Sequence, residues 1–200
     1  IASGIPVQQK FWGQIGKVEA KRFLKVNERS KHLVMMCGSM GCGPMEKMLK
    51  HIAKKLPENV EVSVICGTNQ WLFRKLNHRY RRYPKIHIIA YTDQMPLYID
   101  SADLCLTKPG GISVTEAALK NVPMAFVNAV AGCEQYNMDF FTGLGGAVTD
   151  DSPIKLAEKS IRLLLSDQEL MQMKLALQEY RQPNGAECIF YEMNSGAGIC

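Results

Sequence analysis

The residues from Lys108 to Asn137, KPGGISVTEAALKNVPMAFVNAVAGCEQYN, carry the densest chemistry in the chain. Pro109, Gly110 and Gly111 make a turn, and Ser113, Thr115 and Glu116 follow at what reads as a helix start. Glycines let a ligand come close to the backbone, and the uncovered N–H groups of a helix N-terminus attract phosphate. A carboxylate one turn further on can accept hydrogen bonds from vicinal ribose hydroxyls. Turn, hydroxyls, helix start and acid together describe a cradle for a nucleoside diphosphate. Glu116 is the part a plain turn does not need, although an acid at this position also complements the helix dipole.

A second glycine-rich turn, CGSMGCGP, occupies positions 37–44. Its glycines at 38, 41 and 43 do not meet the dinucleotide fingerprint GxGxxG, and no Lys-Ser/Thr pair follows for a P-loop. Alone it is a weak signal. It gains weight beside the first cluster because both turns should open on one edge of the same sheet.

Those turns need elements to hold them. HLVMMC (32–37), VEVSVIC (60–66), KIHIIA (85–90), DLCLT (103–107), PMAFVN (123–128) and GAVT (146–149) read as six strands. Helix-length text separates them, with Met45, Met48, Leu49, Ile52 and Leu56 at helical spacing and a further helix from about Asn69 to Arg82. The pattern implies βαβ crossovers: a Rossmann-like, doubly wound parallel sheet of about six strands. Ligands of such sheets bind outside the carboxyl ends of the strands, so the turns after Cys37, Ala90, Thr107 and Asn128 should share one mouth. After Asp150 the text is helical, with Ser152-Pro153 as a cap and first position, then helices near 154–165 and 167–180 and a third after Pro183. SGAGIC reads as a disordered tail.

Composition excludes several classes. The chain has 200 residues, 46% hydrophobic and 22% charged, which suits one sizeable domain and not a disordered one. No apolar run reaches the roughly 18 residues of a membrane span, and the opening IASGIPVQQK is no signal peptide. Seven cysteines, odd in number and without a CxxC, fit reduced thiols. Four scattered histidines without an acid neighbour in sequence argue against a zinc site. The net charge of +5 is uneven: Arg74, Lys75, Arg79, Arg81, Arg82 and Lys85 crowd one stretch around Tyr80 and Tyr83. That stretch reads as a solvated helix face, or as a surface for anionic membrane; nucleic acid ranks last because no RNA-binding aromatic motif accompanies it.

GIPV, CGSMGCGP, the PGGISVTEAA core and GCEQYN, in that order, resemble the carboxyl-terminal, donor-binding half of a GT-B glycosyltransferase over about residues 3–190. The likeness is to diacylglycerol glycosyltransferases: the processive glucosyltransferases and monogalactosyldiacylglycerol synthase. The lipid II-forming N-acetylglucosaminyltransferase is more distant. The resemblance implies transfer of glucose or galactose from a UDP-sugar to a membrane lipid such as diacylglycerol, with inversion and with no metal or cofactor. It implies a linker and first helix over 1–30, the nucleotide-sugar domain over 31–182, and a terminal helix and tail over 183–200. Gly38, Ser39, Met40 and Gly41 would face the donor. Tyr91 would read uracil through its backbone, with Met95 near the base. Gly110, Gly111, Ile112 and Ser113 would hold the diphosphate, and Glu116 the ribose. Glu134, Gln135 and Asn137, in a loop, would meet the sugar; family members often carry Gln where this chain has Cys133. The expected partners are the UDP-sugar, an amino-terminal acceptor domain carrying the catalytic base, the lipid and an anionic membrane surface, at the cytoplasmic face. A nucleotide-binding regulatory module and a UDP-sugar epimerase of GT-B architecture are the alternatives.

Overall fold

The computed structural model describes residues 3–36, 44–127, 132–180 and 184–196. Six strands form one sheet: β1 (Lys31–Met36), β2 (Val60–Ile65), β3 (Ile86–Ile89), β4 (Leu104–Thr107), β5 (Met124–Phe126) and β6 (Ala147–Thr149). The spatial order is β3-β2-β1-β4-β5-β6 and every pairing is parallel. Each expected strand is present; β1 starts one residue earlier than expected, the others are a residue or two shorter, and the expected ends at Cys37 and Asn128 lie outside the described residues. They were readable because both faces of a parallel sheet are covered, which demands near-continuous apolar runs; all six residues of β2 are buried.

The helices divide between the two faces. α2 (Met45–Lys54), α3 (Gln70–Tyr80) and α7 (Pro153–Leu164) bury Met48, Leu76 and Leu156 in one core. The short α4 (Met95–Ser101), α5 (Gly111–Leu119) and α6 (Cys133–Gly143) bury Ile99, Val114 and Phe141 in the other, together with Val7 and Phe11 of the opening segment. α8 (Asp167–Gln178) sends Met173 into the first core and Leu177 into the second. Side-chain caps set the starts: Asn69 accepts from Leu72 N–H at 2.9 Å, and Ser152 caps α7 with Pro153 at its first position. α9 runs Gly185–Gly196, so the first two residues of the expected disordered tail are helical.

At the amino-terminal ends of the strands a buried polar network ties the opening segment to the sheet. Asp103 accepts from Lys17 at 2.6 Å, from Lys21 at 3.3 Å and from the His32 N–H at 2.9 Å. Burial alone would raise its pKa; the two ammonium groups and the N–H overcome that and hold it below the usual carboxylate value. Both lysines belong to α1 (Lys17–Phe23), which is thereby fixed against the sheet. Asp100 and Lys120, both buried, pair at 2.6 Å, and Lys120 also donates to Gly13 O at 2.8 Å.

His32 lies wholly in the interior, and burial pushes its pKa down to about 3, so the ring is neutral. Ser101 donates to Tyr98 O, which leaves its oxygen to accept from His32 Nδ1 at 2.9 Å. Nε2 then accepts from Ser63 Oγ at 2.8 Å. Two other histidines, which have no acid neighbour in sequence, find one across the fold. His51 lies 2.9 Å from Glu158 and His87 lies 2.8 Å from Glu61, pairs separated by 107 and 26 residues in sequence.

Candidate functional site

The strand order reverses direction between β1 and β4, and in such sheets the crevice outside that reversal is where ligands bind. The turn after β4 is Lys108 to Gly110, so the topology alone brings the most chemically loaded segment to the switch point. β1 ends at the same switch point, but Gly38, Ser39, Met40 and Gly41, which follow it in sequence, lie outside the described residues, as do Cys37, Cys42 and Asn128.

A cavity of about 220 Å³ opens at these strand ends. Tyr91, Met95, Ser113 and Glu116 all line it, four residues that the sequence places on three different segments. Tyr91 follows β3 and is 68% exposed at the rim; Met95 begins α4. Ser113 and Glu116 project from successive turns on one side of α5.

α5 begins at Gly111, and no side chain caps it; Gly110 precedes it in extended conformation. The N–H groups of Gly111, Ile112 and Ser113 are therefore the first three of the helix, which have no partner within it, and the positive end of the helix dipole adds to them. Gly111 is small for a further reason: a Cβ there would stand 2.9 Å from Ile5 Cδ1 of the opening segment. Ile112 is 60% exposed, so its backbone is not roofed by its own helix. Thr115 departs from the expected cradle. It lies on the opposite side of α5, buried, with its hydroxyl bonded to Tyr180. A helical step of about 100° per residue separates it from Ser113 by more than half a turn.

Glu116 is half-buried on the cavity wall. Burial drives its pKa up to about 7, against a smaller opposing pull from the Lys10 ammonium. It makes no ion pair among the described residues. A carboxylate left short of partners beside a row of open N–H groups is an acceptor awaiting donors, and two vicinal hydroxyls would supply them.

Glu134, Gln135 and Asn137 lie in the first turns of α6, so the expected loop is a helix. Gly132, whose φ of 98° suits glycine, starts it. Asn137 Nδ2 donates to Pro109 O at 2.9 Å, pinning the Pro-Gly-Gly turn to α6. Gln135 instead bonds Asp139 along its own helix at 2.8 Å. Glu134 is half-buried in the first turn.

The opening segment supplies what the sequence reading missed. Gln8, Lys10 and Phe11 form part of the cavity wall, and Lys10 Nζ donates to Asp93 O at 2.8 Å, tying the loop after β3 in place. Their distance in sequence from the motifs hid them. Gly67, which also lines the cavity with a φ of 60°, had a legible signal: a glycine directly after a strand. Cys66 and Cys105 are core residues whose thiols burial raises to about 11 and about 12; neither takes part in the site. Among the described residues no three His, Cys, Asp or Glu side chains converge as a metal site.

Comparison with known proteins agrees with this fold and assigns a family. Residues 32–187 match the model of the glycosyltransferase family 28 C-terminal domain. The processive diacylglycerol beta-glucosyltransferase of Staphylococcus epidermidis is 32% identical over 152 residues, 76% of this chain and 39% of that protein. The one from Bacillus licheniformis is 29% identical over 194 residues, 96% of this chain and 50% of that protein. This chain thus spans half or less of these relatives' length. Among solved structures, Acinetobacter baumannii MurG superimposes with a TM-score of 0.73 at 18% identity, covering 96% of this chain and 57% of that one. Anabaena Alr3699/HepE in complex with UDP and glucose does so with 0.69 at 12% identity, covering 98% and 55%. Both share the fold. With the family model matched over most of its length, the chain belongs to the glycosyltransferase family 28 C-terminal domain.

Proposed function

We propose that the mouth at the β1/β4 switch point binds a UDP-sugar, and that the chain serves as the donor-binding half of an inverting hexosyltransferase acting on a membrane lipid such as diacylglycerol. The observation that carries this is the pairing, on one helix start, of three N–H groups that have no partner within the helix with a carboxylate, one turn beyond, that makes no ion pair among the described residues. The first set suits a diphosphate, and the second, one helical turn further along α5, suits a ribose. The base then falls toward Tyr91 and Met95, where the backbone after β3 can read the uracil edge. Asn137, beside the Pro-Gly-Gly turn, stands on the side where the hexose would lie.

In the reaction an acceptor hydroxyl attacks the anomeric carbon from the face opposite the departing UDP. Negative charge grows on the β-phosphate as the bond breaks, and the N–H groups of Gly111, Ile112 and Ser113 are aimed where it grows. No metal is needed for that stabilisation. The acceptor site and the general base belong, in this proposal, to the part of the relatives' length that this chain does not span. The relatives' names support a glucosyl donor and diacylglycerol; UDP in the Anabaena structure supports the nucleotide.

Calorimetry of UDP, ADP and GDP in excess chelator tests the reading. UDP should bind, and bind best. A preference for a purine nucleotide would contradict the base assignment, and binding abolished by chelator would contradict the metal-free diphosphate site.

A further inference from the structure

Helices α2 and α3 lie side by side on one face of the sheet, since both bury their apolar stripes in the same core. Their outward sides are basic to an unusual degree. Residues 45–55 and 70–82 hold nine Lys and Arg and one carboxylate, Glu46, although the whole chain carries only +5. Glu46 bridges the two helices, reaching Lys75 at 2.7 Å and Arg79 at 3.5 Å. Lys47, Lys50 and Lys54 stand at helical spacing opposite the buried stripe of α2, and Arg74, Arg81 and Arg82 project from α3 and its carboxyl end; all six are exposed. None of the six makes an ion pair among the described residues.

An indole shares this face. Trp71 is 67% exposed, on the same side of α3 as Arg74, with Lys75 Nζ 4.6 Å from its ring centre. A large aromatic held out among cations is poorly placed for solvent and well placed for the boundary between lipid headgroups and acyl chains. It also stands at the amino-terminal end of α3, beside the strand ends where the cleft opens, so the face adjoins the mouth.

We propose that the α2–α3 face docks on an anionic phospholipid surface, the six unpaired cations meeting lipid phosphates and Trp71 entering the headgroup layer. The occupant follows from charge complementarity and from the indole. A purely electrostatic partner would not require the indole, and the exposed aromatics of this stretch, Trp71 at the start of α3 and Tyr83 beyond its end, offer no contiguous series of stacking platforms for a nucleic-acid strand.

Flotation of the 200-residue chain with vesicles tests this without nucleotide, so its outcome is independent of donor binding. In low salt the chain should float with vesicles of phosphatidylcholine containing about 30 mol% phosphatidylglycerol, not with phosphatidylcholine alone, and should come off near 0.5 M salt, where screening reaches within about 5 Å. The variant Arg74→Gln/Arg81→Gln/Arg82→Gln should partition roughly a hundredfold less, at about fivefold per charge. Lys25→Gln/Arg29→Gln/Lys155→Gln, which removes three exposed charges elsewhere, should float as before. Circular dichroism and unchanged urea midpoints establish that both variants fold. Trp71→Phe should remove the blue shift of fluorescence that vesicles induce. Equal loss in both triple variants would reduce the effect to net charge and overturn the proposal. So would an absence of flotation, or retention of duplex DNA in its place.

Discussion

Glu116 has an acidity that its surroundings explain and its sequence neighbours do not. The side chain is carried on a helix whose opposite face is core, so it meets the cavity wall half-buried, with Lys10 as its weak cationic influence. Replacing it with Ala removes the acceptor for two hydroxyls, and hydrogen bonds to a charged group are worth about 1.5–3 kcal/mol. UDP affinity should therefore fall roughly ten- to a hundredfold by calorimetry, with the fold intact. An unchanged affinity would leave Glu116 as a helix-charging residue only. The pH dependence has a definite sign. With a pKa near 7, the carboxylate is protonated in mildly acidic buffer and must lose that proton to accept both hydroxyls. The ratio of wild-type to Glu116→Gln affinity should rise about tenfold from about pH 6 to pH 8, the titration of UDP itself cancelling in the ratio. Stability runs the other way. A carboxyl raised above its unfolded pKa favours the fold at low pH and loses that contribution as pH climbs through 4.5 toward 7. Glu116→Gln should gain stability over wild type in urea titrations at pH 8 but not at pH 4.

At the scale of elements, the site depends on anchors at both ends of the sheet. At the mouth, Asn137 ties the Pro-Gly-Gly turn to α6 through Pro109 O. Asn137→Ala should cost about 1 kcal/mol of stability, the ordinary worth of one such bond, and weaken UDP binding several-fold as the N–H row loses its register. At the far end, Asp103 holds α1 and the backbone of β1 together. Removing one member of a buried charged cluster strands the others, so Asp103→Ala should destabilise the chain by about 3–5 kcal/mol in chemical denaturation. Acid should act on the same cluster. The folded pKa of Asp103 is depressed, so its contribution is present above about pH 4 and lost as pH falls through the folded value. His32, held neutral down to about 3, adds a loss that begins as pH falls below 6.5. Much of this scaffold was legible. Six covered parallel strands write themselves as six apolar runs, and Ser152 and Asn69 announced their helices. Glu116 and Ser113 could be named because a glycine turn, a helix start and an acid are local patterns. Three things were hidden. Gln8, Lys10 and Phe11 reach the cavity only through tertiary packing, and no local pattern marks them. His51 and His87 find their acids across the fold. Thr115 faces inward because the helix begins at Gly111, and two residues of helical phase were enough to turn the hydroxyl away from the cradle.

At the scale of the molecule, one sheet with one mouth offers the proposed donor site and, in that proposal, neither the acceptor site nor the general base. The chain matches half or less of the length of the processive diacylglycerol beta-glucosyltransferases it is similar to. Purified chain given UDP-glucose and diacylglycerol vesicles should form no glycolipid by thin-layer chromatography, and should do so only when the remaining domain is supplied. Glycolipid formed by the chain alone would place acceptor site and base within these 200 residues. The most direct test of the central claim is a crystal structure of the chain grown with UDP and chelator. The expected density has both ribose hydroxyls within hydrogen-bond reach of the Glu116 carboxylate, the diphosphate on the N–H groups of Gly111 to Ser113, and the uracil against Tyr91. UDP seated elsewhere, or seated in the mouth with Glu116 facing away from the ribose, would contradict it.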